Sequence, residues 1–449
     1  MQATDTNRLL DIAARTIEHA KRLGADAADA VIVEALSHSV DVRLGKLEDL
    51  ERSEGQDLGL RVFIGDAQAI VSTNDFTDDN LKTLAERAVA MAKVSPPDPF
   101  SGLAATDELA KSIADLDLFD EKTLSAAELQ DLAKATEDAA LAVKGITNSE
   151  GAGAGYTVAG LALVTSTGFA GSYRRSGFGL SCSVVAGQGT GMERDYESSS
   201  TVHFADLRKP EEIGRIAAER AVRRLNPRKI GSRKGTVVYE PRLSRSLVGH
   251  LLGAINGGAI ARGTSFLKHA MGTAILPADI TITDNPMKPR GVRSRPFDGE
   301  GLSGKPLELV SGGVLNTWIL DTRSARKLGL ASTGHASRSA GSPPSPAATN
   351  VTLLPGKRSR TELLADIDEG LWVTDLLGHG ANLITGDYSR GAAGFWIEKG
   401  EIAYPVAEIT IAGNLKDMFR KMSVADDIEY RGGVDTPSIR IEGMTIAGR

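Results

Sequence analysis

Residues 151–173 read Gly151-Ala-Gly-Ala-Gly-Tyr-Thr-Val-Ala-Gly-Leu-Ala-Leu-Val-Thr-Ser-Thr-Gly-Phe-Ala-Gly-Ser-Tyr173, the longest stretch of the chain without a charge. Its length mimics a membrane-spanning helix, but such a helix needs ~20 predominantly apolar residues. This stretch carries six glycines among interleaved Thr and Ser. It reads as glycine-rich β-strand, and that reading decides the fold class. Just downstream, Phe178, Leu180, Cys182, Val184 and Ala186 alternate with Gly179, Ser181 and Ser183. A period of two marks a half-buried strand. Cys182 falls in the inward set and reads as a small core residue rather than a nucleophile, because free cysteines are commonly buried.

Helices flank these strands. Ser125 and Glu128 have capping-box spacing, and Leu124 and Leu129 are placed as a hydrophobic staple. Leu132, Ala139 and Val143 continue that helix's face, and a further helix covers about 210–225. The same order precedes them. Leu9, Ile12, Ala13, Ala20 and Leu23 recur at helical spacing, with Gly24 at the C′ position. Val40, Val42 and Leu44 alternate with Asp41 and Arg43, and Leu58, Leu60, Val62 and Ile64 repeat the pattern. Thr77 is placed to cap a second helix with Leu81, Leu84, Ala85, Ala88 and Ala92 as its inner stripe. The two closing helices share a string, Ala85-Glu-Arg-Ala-Val89 and Ala218-Glu-Arg-Ala-Val222. A helix–strands–helix order met twice points to a diverged duplication.

Between the two units, Ser95-Pro-Pro-Asp-Pro-Phe-Ser-Gly102 fits neither a helix nor a central strand. Beyond Thr236 the chain is β-rich. Val237-Val-Tyr239, Ile280-Thr-Ile282, Val314 to Leu320, Leu371 to Leu376 and Ile402 to Ile411 read as strands. Ser311-Gly-Gly313 and Lys399-Gly400 read as hairpin turns. Helical patches fall near Leu247–Ile260 and Leu415–Met422. The basic run from Arg208 to Lys234 reads as a solvated helix face followed by a linker. The expected organisation is an α+β unit over 1–94, a Pro-rich linker or crossing segment over 95–120, a second α+β unit over 121–230, and a β-rich domain over 231–449.

Composition narrows the function. The chain has 449 residues, 41% hydrophobic and 24% charged, enough for real cores in a chain of two to four domains. Lys plus Arg number 52 against 58 Asp plus Glu, a formal charge of −6. Nucleic-acid binding by charge needs a cationic surface, so none is expected. A single cysteine excludes a disulfide framework and any CxxC site. The opening Met1-Gln-Ala-Thr-Asp-Thr-Asn-Arg8 has charges and no apolar segment. It does not read as a signal peptide, and a cytoplasmic location without membrane contact is the expectation.

Several local patterns carry less than they first offer. Gly299-Glu-Gly-Leu-Ser-Gly304-Lys305 approaches a phosphate-binding loop, but Pro306 stands where the metal-binding hydroxyl belongs, and no strand–helix context surrounds it. It reads as a glycine turn. No Gly-x-Ser-x-Gly elbow occurs. None of the seven histidines is followed by Glu. Asp375, His379 and Asp387 lie close in sequence and could form a metal or acid–base group, although the glycines flanking His379 favour a loop. Ser339 to Asn350, rich in Ser, Pro and Gly, reads as an extended crossover loop or as a surface for a peptide or partner chain.

Longer strings are more telling. They are Asn382-Leu-Ile-Thr-Gly-Asp-Tyr-Ser-Arg-Gly-Ala-Ala-Gly-Phe-Trp-Ile-Glu398 and Tyr404-Pro-Val-Ala-Glu-Ile-Thr-Ile-Ala-Gly-Asn-Leu415. With Ile260-Ala-Arg-Gly-Thr-Ser-Phe-Leu267 and Pro437-Ser-Ile-Arg-Ile-Glu-Gly-Met-Thr-Ile-Ala-Gly448, they resemble the PmbA/TldE branch of the TldD/PmbA proteins, also called modulators of DNA gyrase. The resemblance covers nearly the whole chain. It implies an α+β N-terminal half, a barrel-like C-terminal domain and a peptidase built from two related chains. The TldD-type chain of such a pair carries His-Glu-x-x-x-His and a later Cys as a zinc site. Three protein ligands leave an open position for a nucleophilic water, and the Glu serves as general base.

Laid on that motif, this chain is incomplete. His250 falls at the second histidine, Arg245 at the first, and Ser246 at the Glu. Tyr430 to Pro437 contains no cysteine. The resemblance therefore implies a chain without catalytic or metal residues of its own, with zinc held by the TldD-type partner. Arg338, Asn350, Gly413 and Asn414 are the expected partner- or peptide-binding positions, since strand edges suit extended peptides. An independent hydrolase and a regulatory binding protein are the alternatives.

Overall fold

The computed structural model describes residues 5–378 and 380–448. Its N-terminal half starts with α1 (Thr6–Arg22), where the Asp5 carboxylate accepts from the backbone N–H of Asn7 and Arg8. Then β1 (Ala27–Arg43) and β2 (Lys46–Ile64) form a long hairpin. Its two-residue turn, Leu44-Gly45, has φ of 50° and 73°, the left-handed pair that matches strand twist. β3 (Ala67–Thr73) and α2 (Asp78–Val94) close the first unit.

The second unit repeats the order with α3 (Ala126–Leu141), β4 (Ile146–Thr165), β5 (Ala170–Ala186), β6 (Glu193–Thr201) and α4 (Pro210–Arg223). The expected Ser125–Glu128 capping box is present in both directions. At Thr77 the N-cap position is right, but its side chain makes no capping hydrogen bond. The repeated Ala-Glu-Arg-Ala-Val strings lie in α2 and α4, where Ala85, Ala88, Ala218 and Ala221 are buried.

The two units do not form separate sheets. One antiparallel sheet runs β3-β2-β1-β4-β5-β6, joined at its centre by β1 and β4 from Asp29↔Thr165 to Val42↔Ala152. All four helices cover one face. Ala28, Ala30 and Ile32 of β1 pack under α1 and α2, while Val40 and Val42 of the same alternation set pack under α3 and α4. Phe178, Leu180, Cys182, Val184 and Ala186 are all buried there. Burial of Phe178, Leu180 and Val184 contributes about 1.5–3 kcal/mol each. The glycines of the opening stretch keep β1 and β4 close: a Cβ at Gly153 would stand 2.5 Å from an Asp41 carboxylate oxygen.

The other sheet face is covered at one end by the C-terminal half, through Val31, Leu163 and Phe169 against Phe297 and Leu302. The Pro-rich segment after α2 crosses between the halves. Leu109 bridges to Leu302, and the Leu103 carbonyl accepts from Arg326. At the hairpin end, residues 46–57 of β2 pair inward with β1 only, since β3 reaches no further than Leu58. That outer strand edge is open among the described residues.

The C-terminal half holds a closed five-stranded barrel. Its strands are β7 (Arg233–Tyr239), β8 (Glu369–Leu377), β9 (Asp387–Glu398), β10 (Glu401–Asn414) and a late strand at Ile439–Ala447. The order is β10-β9-β8-β7 and the late strand, which pairs back with β10 at Thr410–Ala412. Pairing of β7 with β8 is parallel, and the other pairs are antiparallel. Trp396, Tyr239 and Tyr388 fill the core. A smaller five-stranded sheet from short segments between 282 and 435 packs on the same core. The α+β class and the barrel-like C-terminal domain are as expected, and no helix among the described residues is long and apolar enough to cross a membrane.

Some local expectations need correction. The helical patch near 247–260 is two helices, α5 (Pro241–Ala254) and a short one (Gly257–Arg262), because Asn256 caps a new start. The strand expected over 314–320 ends at Leu315. Beyond it, Ile319 makes only an isolated parallel bridge to Asn256, accepting from Gly257 N–H and donating to the Ile255 carbonyl. The basic run is not simply a solvated face. Arg220 holds Glu197 within the N-terminal half at 2.6 Å, and Arg224 holds Asp375 at 3.0 Å across the junction of the two halves.

Candidate functional site at helix α5

Helix α5 leaves the barrel strand β7 through Glu240, and Pro241 at its first turn supplies a preset φ. Leu247, Val248 and Leu251 are buried against the barrel core. Ser244 ties the helix to the far end of the chain by donating to the Pro437 carbonyl at 2.7 Å. This anchoring fixes the positions of Arg245, Ser246 and His250.

Ser246 donates its hydroxyl to the Leu243 carbonyl one turn back at 2.7 Å. The His250 ring meets the Tyr388 ring edge-on, centroids 5.9 Å apart. Its Nε2 is buried without a hydrogen-bond partner. Burial, and then the nearby Arg390 guanidinium, hold the imidazole below its usual pKa, so it is neutral at pH 7. The Tyr388 hydroxyl accepts from Tyr239 at 3.4 Å. Burial pushes the Tyr239 phenol well up, so it stays protonated.

The donor set at α5 does not fit zinc. A guanidinium cannot ligate a cation, and Ser246 is spent on Leu243. Cys182 lies in the N-terminal sheet, where burial and the charge of Glu137 push its thiol up to about 12. No group of three His, Cys, Asp or Glu able to hold a metal occurs among the described residues. Of the Asp375–His379–Asp387 group, the two carboxylates have other partners. Asp375 pairs with Arg224, while Asp387 accepts from Thr385 at 2.7 Å and Asn414 at 3.1 Å. His379 lies outside the described residues.

The four expected binding positions fall in two places. Arg338 is buried, its side chain 1% exposed, and bonds Asp29 of β1 at 2.7 Å. Asn350 is buried too, donating to the Asn285 carbonyl at 2.8 Å and accepting from Arg293 N–H at 3.1 Å. Both side chains are internal struts in this conformation. The Ser339–Asn350 loop between them is folded back, with Ala336-Ser337 pairing against Ser345-Pro346. Gly413 is exposed at the barrel rim, and Asn414 caps the short helix Leu415–Arg420.

Sequence reasoning missed the charge lock between the halves. Asp195 accepts from Arg242 of α5, and Glu197 from Arg431 at 2.6 Å. Burial alone would raise the Glu197 carboxyl, but Arg431 and then Arg220 bring it down to about 2. It also missed Glu300, inside the glycine turn. Burial, then the neighbouring Asp298, push its carboxyl up to about 8. Only the Tyr388-Ser-Arg390 string was visible, as part of a longer motif.

A closed barrel carries the histidine-bearing helix, behind an N-terminal half in which one helix–strands–helix order occurs twice. Family models cover the chain in three parts. They are PmbA/TldA metallopeptidase domain 1 at residues 28–92, the central domain at 119–225 and the C-terminal domain at 232–448. The metalloprotease PmbA homolog of Haemophilus influenzae is 38% identical over 96% of this chain and 94% of its own length. The metalloprotease PmbA of Escherichia coli O157:H7 is also 38% identical, over 95% and 93%. This chain therefore belongs to the PmbA/TldD metallopeptidase family. A crystal structure from Bacteroides thetaiotaomicron, described as a candidate modulator of DNA gyrase, matches with a TM-score of 0.90. It is 27% identical and covers 99% of this chain and 100% of its own. TldE from Thermococcus kodakarensis shares the fold, with a TM-score of 0.82 at 21% identity over 97% and 99% of the two chains.

Proposed function

We propose that this chain is the zinc-less partner of a TldD-type zinc metallopeptidase, docking that chain and presenting unfolded or peptide substrates to it in the cytoplasm. One observation carries the reading. Helix α5 keeps the family's body and His250, but offers Arg245 and Ser246 where a ligand and a general base are needed. A single histidine is short of the three or four protein ligands that a zinc site requires. The relatives' description as metalloproteases then fits the assembled pair, in which zinc and base come from the other chain.

The test is peptide cleavage by this chain, by a TldD-type chain from the same cell, and by the mixture. Turnover is expected from the mixture only, with no stoichiometric zinc in this chain when pure. His250→Ala here should leave kcat of the mixture within a few-fold, because loss of a transition-state group would lower kcat. The proposal fails if the TldD-type chain alone matches the mixture. It also fails if this chain alone holds about one zinc, lost on His250→Ala.

A further inference from the structure

A recess of about 180 Å³ lies where the two halves meet, between β6 and the end of α4 on one side and β8 and α5 on the other. Its walls converge through buried contacts. Arg242 of α5 donates to Asp195 of β6 and, at 2.9 Å, to the Thr374 carbonyl of β8. Arg224, just after α4, donates to Asp375 at 3.0 Å and reaches Asp195 at 3.5 Å. Two polar atoms on these walls are left over. Thr374, 7% exposed, has a buried Oγ1 without a partner, and Arg224, also 7% exposed, has a buried Nε that makes no hydrogen bond. Glu193 stands 3.4 Å from that Nε, outside hydrogen-bonding geometry. The strand is built to hold Thr374 in place. Val373 pairs with Gly394 and Asp375 with Ala393, so Thr374 is the extra residue of a β-bulge. Bulges re-aim side chains and are enriched beside functional sites. Buried polar groups are almost always paired, so two orphans on one recess mark an absent partner.

We propose that this recess receives a primary carboxamide, the side chain of a glutamine or asparagine in a bound peptide. The absent partner must accept from Arg224 Nε–H, which an ammonium or guanidinium cannot do. A carboxylate would face Asp195 and Asp375, and like charges at such range repel. A neutral amide meets both conditions. Its oxygen has two lone pairs, one for Arg224 Nε–H and one for the Thr374 hydroxyl, and its NH2 group donates to Asp375 Oδ1, since Arg224 occupies Oδ2. The Asp375 side chain is 27% exposed, so the recess is open to a ligand. Ser183 and Tyr196 line it and also line a neighbouring cavity of about 470 Å³ on the uncovered face of the N-terminal sheet. A peptide lying on that face can turn one side chain into the recess. The site deepens the substrate-presenting part of the proposed function and rests on it.

Saturation-transfer NMR titration of the full chain, without any partner, tests the recess separately from the complex. The probes are N-acetyl-Gly-Gly-X-Gly-Gly amides with X as Gln, Asn, Glu, Lys, Ser or Leu, so that every peptide brings the same backbone. The tighter of the Gln and Asn peptides is expected to bind at least about fivefold better than each of the other four, the scale of the hydrogen bonds gained. Thr374→Val should cut that preference to about twofold or less, while its thermal midpoint stays level or rises, because a buried hydroxyl without a partner does not stabilise the free chain. A hydroxyl kept for the fold alone would lower the midpoint on removal and leave the preference unchanged. Arg224→Lys keeps the charge but not the Nε–H; it should cut the preference likewise, and it carries the test if Thr374→Val misfolds. Equal binding of all six peptides overturns the proposal, as does tightest binding of any of the other four, or no binding up to about 10 mM. An unchanged preference in folded Thr374→Val or Arg224→Lys overturns it as well. A mixture that cleaves peptides while this chain shows no carboxamide preference would leave the partner reading standing and remove the recess alone. A chain that selects the carboxamide but adds nothing to cleavage would remove the partner reading alone.

Discussion

Replacing Arg338 by methionine should loosen the two halves of the molecule from each other. Asp29 is fully buried in the N-terminal sheet and holds two guanidinium groups, Arg61 from β2 and Arg338 from the C-terminal half. Burial raises the Asp29 carboxyl, but Arg338 and then Arg61 more than offset it and hold it below its ordinary value. Breaking a buried pair by removing one partner costs about 3–5 kcal/mol. In Arg338→Met, Asp29 keeps Arg61, so the loss belongs at the lower end, about 3 kcal/mol. Asp29→Asn strands both guanidiniums and should cost more, about 5 kcal/mol. Because the carboxyl is depressed in the fold, its contribution is present above the ordinary carboxylate pKa of ~3.9 and is lost as pH falls through the folded value. Urea unfolding followed by probes in each half is the assay, with a double-mutant cycle for the pair. Wild type should unfold in one transition, the variants in two, with a coupling energy of roughly 1–3 kcal/mol. A folded Arg338→Met within about 0.5 kcal/mol of wild type, unfolding in a single transition but failing to bind peptide, would refute the strut and restore a binding role to Arg338.

Two further outcomes follow from buried titrating groups. The Glu300 carboxyl is raised in the fold, to about 8, so the folded state holds more protons than the unfolded one between the ordinary carboxylate range and that value. Wild-type stability should therefore fall as pH rises through that window, while Glu300→Gln should flatten the slope and gain roughly 1–3 kcal/mol at pH 8. Thermal midpoints at pH 6, 7 and 8.5 measure it. Cys182, buried with its thiol raised to about 12, should resist alkylation at pH 8 in the native chain and react fully in denaturant. Rapid native labelling would show that the sheet opens there.

Elements set by neighbouring residues were legible in the sequence. The alternation from Phe178 to Ala186 needs only a strand with one covered face, and all five inward residues are buried. The Ser125–Glu128 box is likewise local. What could not be read depends on chain segments that meet only in the fold. Glu197 and Arg431 are 234 positions apart, and Asp29 and Arg338 are 309 apart. No spacing rule ties such partners together, so Arg338 read as a partner- or peptide-binding position and the basic run as a solvated face followed by a linker. Barrel closure is hidden for the same reason, since β7 pairs with β8 across most of the smaller sheet's strands. At the candidate site, His250, Arg245 and Ser246 were readable because they follow one helix. Arg390 and Tyr388 sit in a conspicuous string, but nothing local says that they face α5.

The open edge of β2 sets a condition on how the molecule lives in a crowded solution. An unpaired strand edge is a template on which a second chain can lay its own backbone. Here that edge runs through Lys46, Glu48, Asp49, Glu51, Arg52, Glu54 and Asp57. A second copy arriving antiparallel would set carboxylates against carboxylates at most registers, and like charges directly opposite are destabilising. The repulsion keeps molecules from zipping into ribbons, and it works over only ~8 Å at physiological ionic strength. Concentrated salt, or acid that neutralises these carboxylates, would therefore remove this barrier to edge-to-edge pairing.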